Sequence, residues 1–114
     1  MLIGAAHESE VVQEEQFCPL LPIVAVEDDE QAVTFANDTR FGLNAGVWSA
    51  DPEHGNAVAD RLRCGISIVN GTPNDTKDIR APFGGVDQSG IGRTLADEGL
   101  RAFSFEHTRV ARVQ

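Results

Sequence analysis

Basic residues are scarce in this chain. Nine lysines and arginines stand against eighteen aspartates and glutamates, giving a formal charge of −9. Nucleic-acid phosphates call for a basic footprint, so a general nucleic-acid role is excluded. Long apolar runs are absent as well, and none approaches the roughly 18 to 20 residues of a membrane-spanning helix. Met1-Leu2-Ile3-Gly4-Ala5-Ala6 lacks the basic flank and full apolar region of a signal peptide. A cytoplasmic protein with no membrane partner is therefore expected. Cysteine is limited to Cys18 and Cys64, with no Cys-x-x-Cys pair, and both are expected to be free thiols. His7, His54 and His107 show no metal-ligand spacing, so no metal site is expected.

What remains is an ordinary globular composition, 41% hydrophobic and 24% charged, over 114 residues, enough for one domain. Residues 1–10 are expected to be poorly ordered. Leu20 to Val26 is a short β-branched run that reads as a strand, with Pro22 near its start or on an edge. Asp28 opens a helix with acidic residues in its first turn and Ala32, Val33 and Ala36 on one face. Leu43 to Ser49 reads as a second strand. Asp51 as N-cap and Pro52 at the first helical position announce another helix, with Gly65 as its expected end. Ile66 to Asn70 follows as a third strand. Strand and helix alternating at this spacing predict an α/β fold, a parallel βαβαβ sheet. Residues 71–92 read as a long irregular loop, Thr94 to Phe103 as a short helix, and residues 104–114 as a terminal strand.

Within the loop, Ala81-Pro82-Phe83-Gly84-Gly85-Val86-Asp87-Gln88-Ser89-Gly90-Ile91-Gly92-Arg93 places four glycines in nine residues. Such a backbone turns sharply or passes close to a neighbour. Gly90-Ile91-Gly92 is no dinucleotide fingerprint, since no strand leads into it and a third glycine is absent. Read from residue type alone, Glu15 is either a solvated charge or a ligand-facing carboxylate. Phe17 and Phe83 are either core or pocket residues. Asn70, at a strand end, braces neighbouring loops through its amide.

Four segments in order, Glu14-Glu15-Gln16-Phe17-Cys18-Pro19, Ala36-Asn37-Asp38-Thr39-Arg40-Phe41-Gly42-Leu43, Ile68-Val69-Asn70 and the glycine run, bear on these readings and favour the ligand-facing one for Glu15 and Phe17. Together they resemble the C-terminal portion of the catalytic domain of NAD(P)-dependent aldehyde dehydrogenases, in register from about Val11 to Val113. The resemblance implies that Glu15 accepts hydrogen bonds from the nicotinamide-side ribose hydroxyls and that Phe17 borders the nicotinamide. It also implies that Phe83 lies near the substrate or nicotinamide pocket, that residues 11–103 are a partial catalytic domain, and that residues 104–114 are an oligomerisation strand. NAD or NADP is the implied cofactor and an aldehyde the implied substrate.

The departures are specific. The family's nucleophilic cysteine and its activating glutamate lie upstream of the matched region, so no catalytic residue is expected here. Cys18 stands where the family usually has glycine and is not the nucleophile. Asp87 replaces a common lysine, and Thr94 a common glutamate. Cys64 reads as a small buried hydrophobe. Two functions are therefore expected in competition. One is aldehyde oxidation, inactive in this chain alone and dependent on a complementing upstream chain. The other is a non-catalytic remnant or interaction module prone to self-association.

Overall fold

The computed structural model describes residues 1–76 and 78–113. In chain order the elements are β1 (Leu2–Ile3), α1 (Glu10–Gln13), β2 (Pro22–Ile23), α2 (Asp29–Asn37), β3 (Phe41–Gly42) and β4 (Asn44–Val47). They continue with α3 (Pro52–Ala59), β5 (Ile66–Val69), a 3₁₀ turn (Pro73–Thr76), β6 (Val86–Asp87) and α4 (Ala96–Arg101).

Both longer helices begin where their capping residues dictate. Asp28 accepts from the Gln31 N–H at 2.9 Å, and Gln31 reaches back to the Glu27 N–H at 2.8 Å. This exchange satisfies two otherwise orphan donors at the start of α2. Asp51 accepts from the Glu53 and His54 N–H groups, with Pro52 at the first position of α3. Gly65 does not end α3. The helix closes at Asp60, after which Arg61 and Leu62 donate to Val58 and Ala59, tightening the last turn into i→i+3 bonds.

The expected continuous βαβαβ sheet is replaced by three two-stranded sheets. β4 and β5 pair in parallel, from Asn44 opposite Ile66 to Val47 opposite Val69, with α3 as their crossover. β2 does not join them. It pairs in parallel with β1, because Leu2 donates to Leu21 O and Gly4 to Ile23 O. Residues 1–10, read from sequence as poorly ordered, thus hold a strand, a turn and the first residue of α1. Nor is the glycine run wholly irregular. Its β6 pairs antiparallel with β3 (Phe41 opposite Asp87), and Phe83 and Thr94 form an isolated bridge. Residues 104–113 form no strand, since nothing among the described residues pairs with them.

Burial is sparse. Val33 and Ala59 are the buried apolar residues, and no described side chain is below 2% exposure. The radius of gyration is 18.7 Å, against about 13 Å for a compact domain of this size. No described helix is long and apolar enough to cross a membrane.

Candidate functional site

The N-terminal segment is docked on the C-terminal end of α2 by a buried histidine. His7 stacks on Phe35 with ring centroids 4.0 Å apart and planes within 5°. Its Nε2 lies 2.8 Å from Asp38 Oδ2, and Gln13 donates to the His7 carbonyl at 2.9 Å. A few residues on, Glu14 pairs with Arg40, whose guanidinium stands 5.1 Å from the centre of the Phe41 ring. These contacts hold residues 13 to 15 over a cavity of about 590 Å³ lined by Glu15, Asn37, Leu43, Arg63, Cys64 and Ser89, among others.

Asn37 shapes the far wall. Its amide donates to Arg61 O at 2.9 Å and accepts from Arg63 N–H at 2.7 Å, while Arg63 donates back to the carbonyls of Asn37 and Thr39. The end of α2 is thereby clamped to the turn that leads into β5. Arg63 also faces Asp87 at 3.3 Å, which gives the acidic replacement at that position a local partner. Cys64 is half-buried rather than buried, its thiol 3.2 Å from Ile66 O, and Cys18 is exposed.

The glycine run is packed by backbone contact. A Cβ built on Gly65 would overlap the Gly84 carbonyl oxygen and come within 2.7 Å of its carbon, so position 65 has no room for a side chain. Ser89 accepts from Gly42 N–H at 2.9 Å, and Arg93 donates to the carbonyls of Gly85 and Gly92. Phe83 and Thr94 exchange two backbone bonds of 2.7 Å. The bridge feeds directly into Leu95 (φ 63°) and Ala96 (φ 50°), a conformation that non-glycine residues seldom adopt.

The residues singled out from sequence fall in different places. Glu15 is exposed and lines the cavity, and its carboxylate has no hydrogen-bond or ion-pair partner among the described residues. Phe17 is 98% exposed and is not part of the cavity lining. Phe83 is half-buried at the bridge, also outside that lining. Asn70 (φ 51°) accepts from Ser49 N–H at 2.9 Å and donates to Ser49 O at 2.8 Å, so its amide ties the end of β5 to the segment leaving β4. Sequence reasoning passed over His7, Gln13 and the Asn37 clamp. Asn37 stands in one of the four family-like segments, but nothing in that segment marks it as a clamp. His7 carries no local signal, because the ring that stacks on it and the carboxylate that faces it lie 28 and 31 residues away.

The described residues thus form an α/β chain with two parallel strand pairs and a cavity wall that carries Glu15. Comparison with known proteins gives the family. The sequence profile of the aldehyde dehydrogenase family matches residues 1–108. Geranial dehydrogenase of Castellaniella defragrans is 40% identical over 97 residues, covering 85% of this chain and 20% of that protein. The 4,4'-diapolycopene aldehyde oxidase of Methylomonas sp is 40% identical over 99 residues, covering 87% and 19%. Among solved structures, Mycobacterium tuberculosis aldehyde dehydrogenase complexed with NAD+ superposes with a TM-score of 0.82 at 34% identity, covering 89% of this chain and 20% of that one. Betaine aldehyde dehydrogenase from Staphylococcus aureus in complex with NAD+ gives 0.83 at 35%, with the same coverage. The chain belongs to the aldehyde dehydrogenase family. It spans about a fifth of the length of the relatives it matches.

Proposed function

We propose that this chain forms the nicotinamide-ribose wall of an aldehyde dehydrogenase, oxidising an aldehyde to a carboxylic acid once joined by the rest of that fold. The observation that supports this reading most is the state of Glu15. Its neighbour Glu14 is neutralised by Arg40, whereas the Glu15 carboxylate beside the cavity has no partner among the described residues. An ionised carboxylate accepts two hydroxyl donors, the requirement of a ribose diol. The residues present therefore fit that part of NAD or NADP, which when bound supplies the hydride acceptor. Phe17, projecting into solvent, is free to border the nicotinamide. Phe83, outside the cavity lining, is assigned to the neighbouring pocket only by the family resemblance. The site of action is the cytoplasm, and self-association through residues 104–114 accompanies it.

The chain alone has no turnover in this reading. Joined to the part of a relative that precedes the matching segment, it produces NADH or NADPH dependent on aldehyde. Glu15→Gln in that assembly raises the KM for the cofactor about ten-fold or more, since hydrogen bonds to a charged group contribute roughly 1.5 to 3 kcal/mol. A cofactor KM unchanged by Glu15→Gln removes the role assigned to Glu15. The alternative, a non-catalytic interaction module, draws on the exposure of Phe103, Phe105, Val110 and Val113. It is favoured if the joined assembly forms but oxidises no aldehyde.

A further inference from the structure

The ends of β4 and β5 are joined by one side chain. Asn70 Oδ1 accepts from the Ser49 N–H at 2.9 Å and its Nδ2 donates to Ser49 O at 2.8 Å, while its own N–H donates to Val47 O at 2.8 Å. Asn70 takes φ 51°, a left-handed conformation that asparagine tolerates better than most residues. Position 71 calls for glycine on other grounds. A Cβ there would come within 2.9 Å of Ile68 Cγ2 and 3.1 Å of Asp75 Oδ2, and Thr72 holds that carboxylate in place. The fold thus asks for asparagine followed by glycine at this point, and the two together are chemically labile.

In an Asn-Gly pair the glycine nitrogen reaches the side-chain carbonyl carbon of the asparagine, because no Cβ stands in the way. The Gly71 nitrogen bonds to Asn70 Cγ and closes a cyclic imide. The Cγ–Nδ2 bond breaks, and Nδ2 leaves as ammonia with the Gly71 proton. Water then opens the imide. Addition at Cγ gives aspartate; addition at the Asn70 backbone carbonyl gives isoaspartate, with the chain rerouted through Cγ. Nothing is oxidised or reduced, and solvent water is the co-reactant. Asn70 is exposed to that water, and the Gly71 N–H donates to no described residue. The other asparagines lack the partner for this step: Asn37 and Asn74 precede aspartate, and Asn44 and Asn56 precede alanine.

We propose that Asn70-Gly71 is a deamidation site whose reaction the Ser49 backbone holds closed. Attack on Cγ needs the Gly71 nitrogen over the face of the carboxamide, whereas both polar atoms of that group are turned to Ser49. Rotation into reach breaks both bonds. The carboxamide therefore reacts only in copies whose strand ends have parted, and its rate follows the population of that local opening. The product does not close as before. Aspartate accepts from the Ser49 N–H but has no donor for Ser49 O, and isoaspartate lengthens the backbone directly after β5. Each opening that ends in reaction leaves the strand pair one bond short, so conversion records how often β4 and β5 separate.

The test holds the full chain at neutral pH and follows residue 70 by peptide mass spectrometry, as the –NH₂ of asparagine gives way to –OH. Enzymatic methylation of isoaspartate counts that share of the product. A synthetic peptide of residues 66–76, which lacks Ser49, gives the ungated rate. Residue 70 is expected to convert about ten-fold or more slowly in the chain than in the peptide, given two bonds to break. Asn37, Asn44, Asn56 and Asn74 are expected to stay unchanged over the same period, and urea to bring residue 70 to the peptide's rate. Ser49→Pro deletes the N–H that Oδ1 accepts from and is expected to speed conversion several-fold. Ser49→Ala, which keeps the backbone, is expected to leave it unchanged. Retained exchange protection at Gln31, capped by Asp28 on α2, marks the proline variant as folded; without it, the ratio of chain to peptide decides. Equal rates in chain and peptide, or a folded Ser49→Pro chain no faster than the original, overturn the gate. A residue 70 unconverted in the chain after the peptide has fully reacted, or conversion spread evenly over the asparagines, overturns the site.

Discussion

Asp75 shows at single-residue scale how this chain holds its irregular parts. Its carboxylate accepts from the Thr72 N–H at 2.6 Å and from the Thr72 hydroxyl at 3.0 Å. The backbone bond, then the hydroxyl bond, hold the carboxyl below its ordinary range. A folded pKa lower than the unfolded one means the turn is fully stabilised above the usual aspartate value, about 3.9, and loses that support as pH falls through the lowered value. The Thr72 amide resonance should therefore titrate with a midpoint below that of a free aspartate, and Asp75→Asn should erase the transition. A midpoint at or above the free value contradicts the geometry. Asp78 is lowered in the same direction by its side-chain bonds to Arg80.

Elements are governed by their caps and partners. Asp51→Ala removes both acceptor bonds at the start of α3 and should cost about 1 kcal/mol. The readout is exchange at the Glu53 and His54 amides, expected to quicken about five-fold. Asp51→Asn, which keeps an acceptor, should not quicken it. Caps also mark how far the fold was legible. Helices α2 and α3 were announced by Asp28 and by Asp51-Pro52, local chemistry that any window of four residues contains. The pairing of β3 with β6 was not, because Phe41 and Asp87 meet across a long stretch of chain and two-residue strands have no periodicity to read. The separation of β2 from β4 was invisible for a related reason. Alternation predicts that strands exist, while their neighbours depend on every other strand available to the sheet. Glu15, which lines the cavity, is singled out in the sequence only by the family resemblance, and Phe17, singled out with it, lies outside the cavity lining. The His7 stack and the Asn37 clamp that present Glu15 are long-range contacts without a sequence signature.

For the whole molecule the balance of terms is unfavourable. Ordering a residue costs roughly 1 to 2 kcal/mol in backbone freedom, and this chain offsets that with two buried apolar side chains and many half-buried ones. The surface meanwhile shows Phe17, Trp48, Ile91, Phe103 and Phe105, each more than two-thirds exposed. The isolated chain should therefore melt without a sharp transition and self-associate with rising concentration. Scanning calorimetry and sedimentation velocity check this together, and a cooperative, concentration-independent melt of a monomer would contradict it. The extended segment after α4 carries this imbalance into the cell. A segment with exposed apolar side chains and no ladder bonds among the described residues is where proteolysis begins, and marginal folds are continuously triaged.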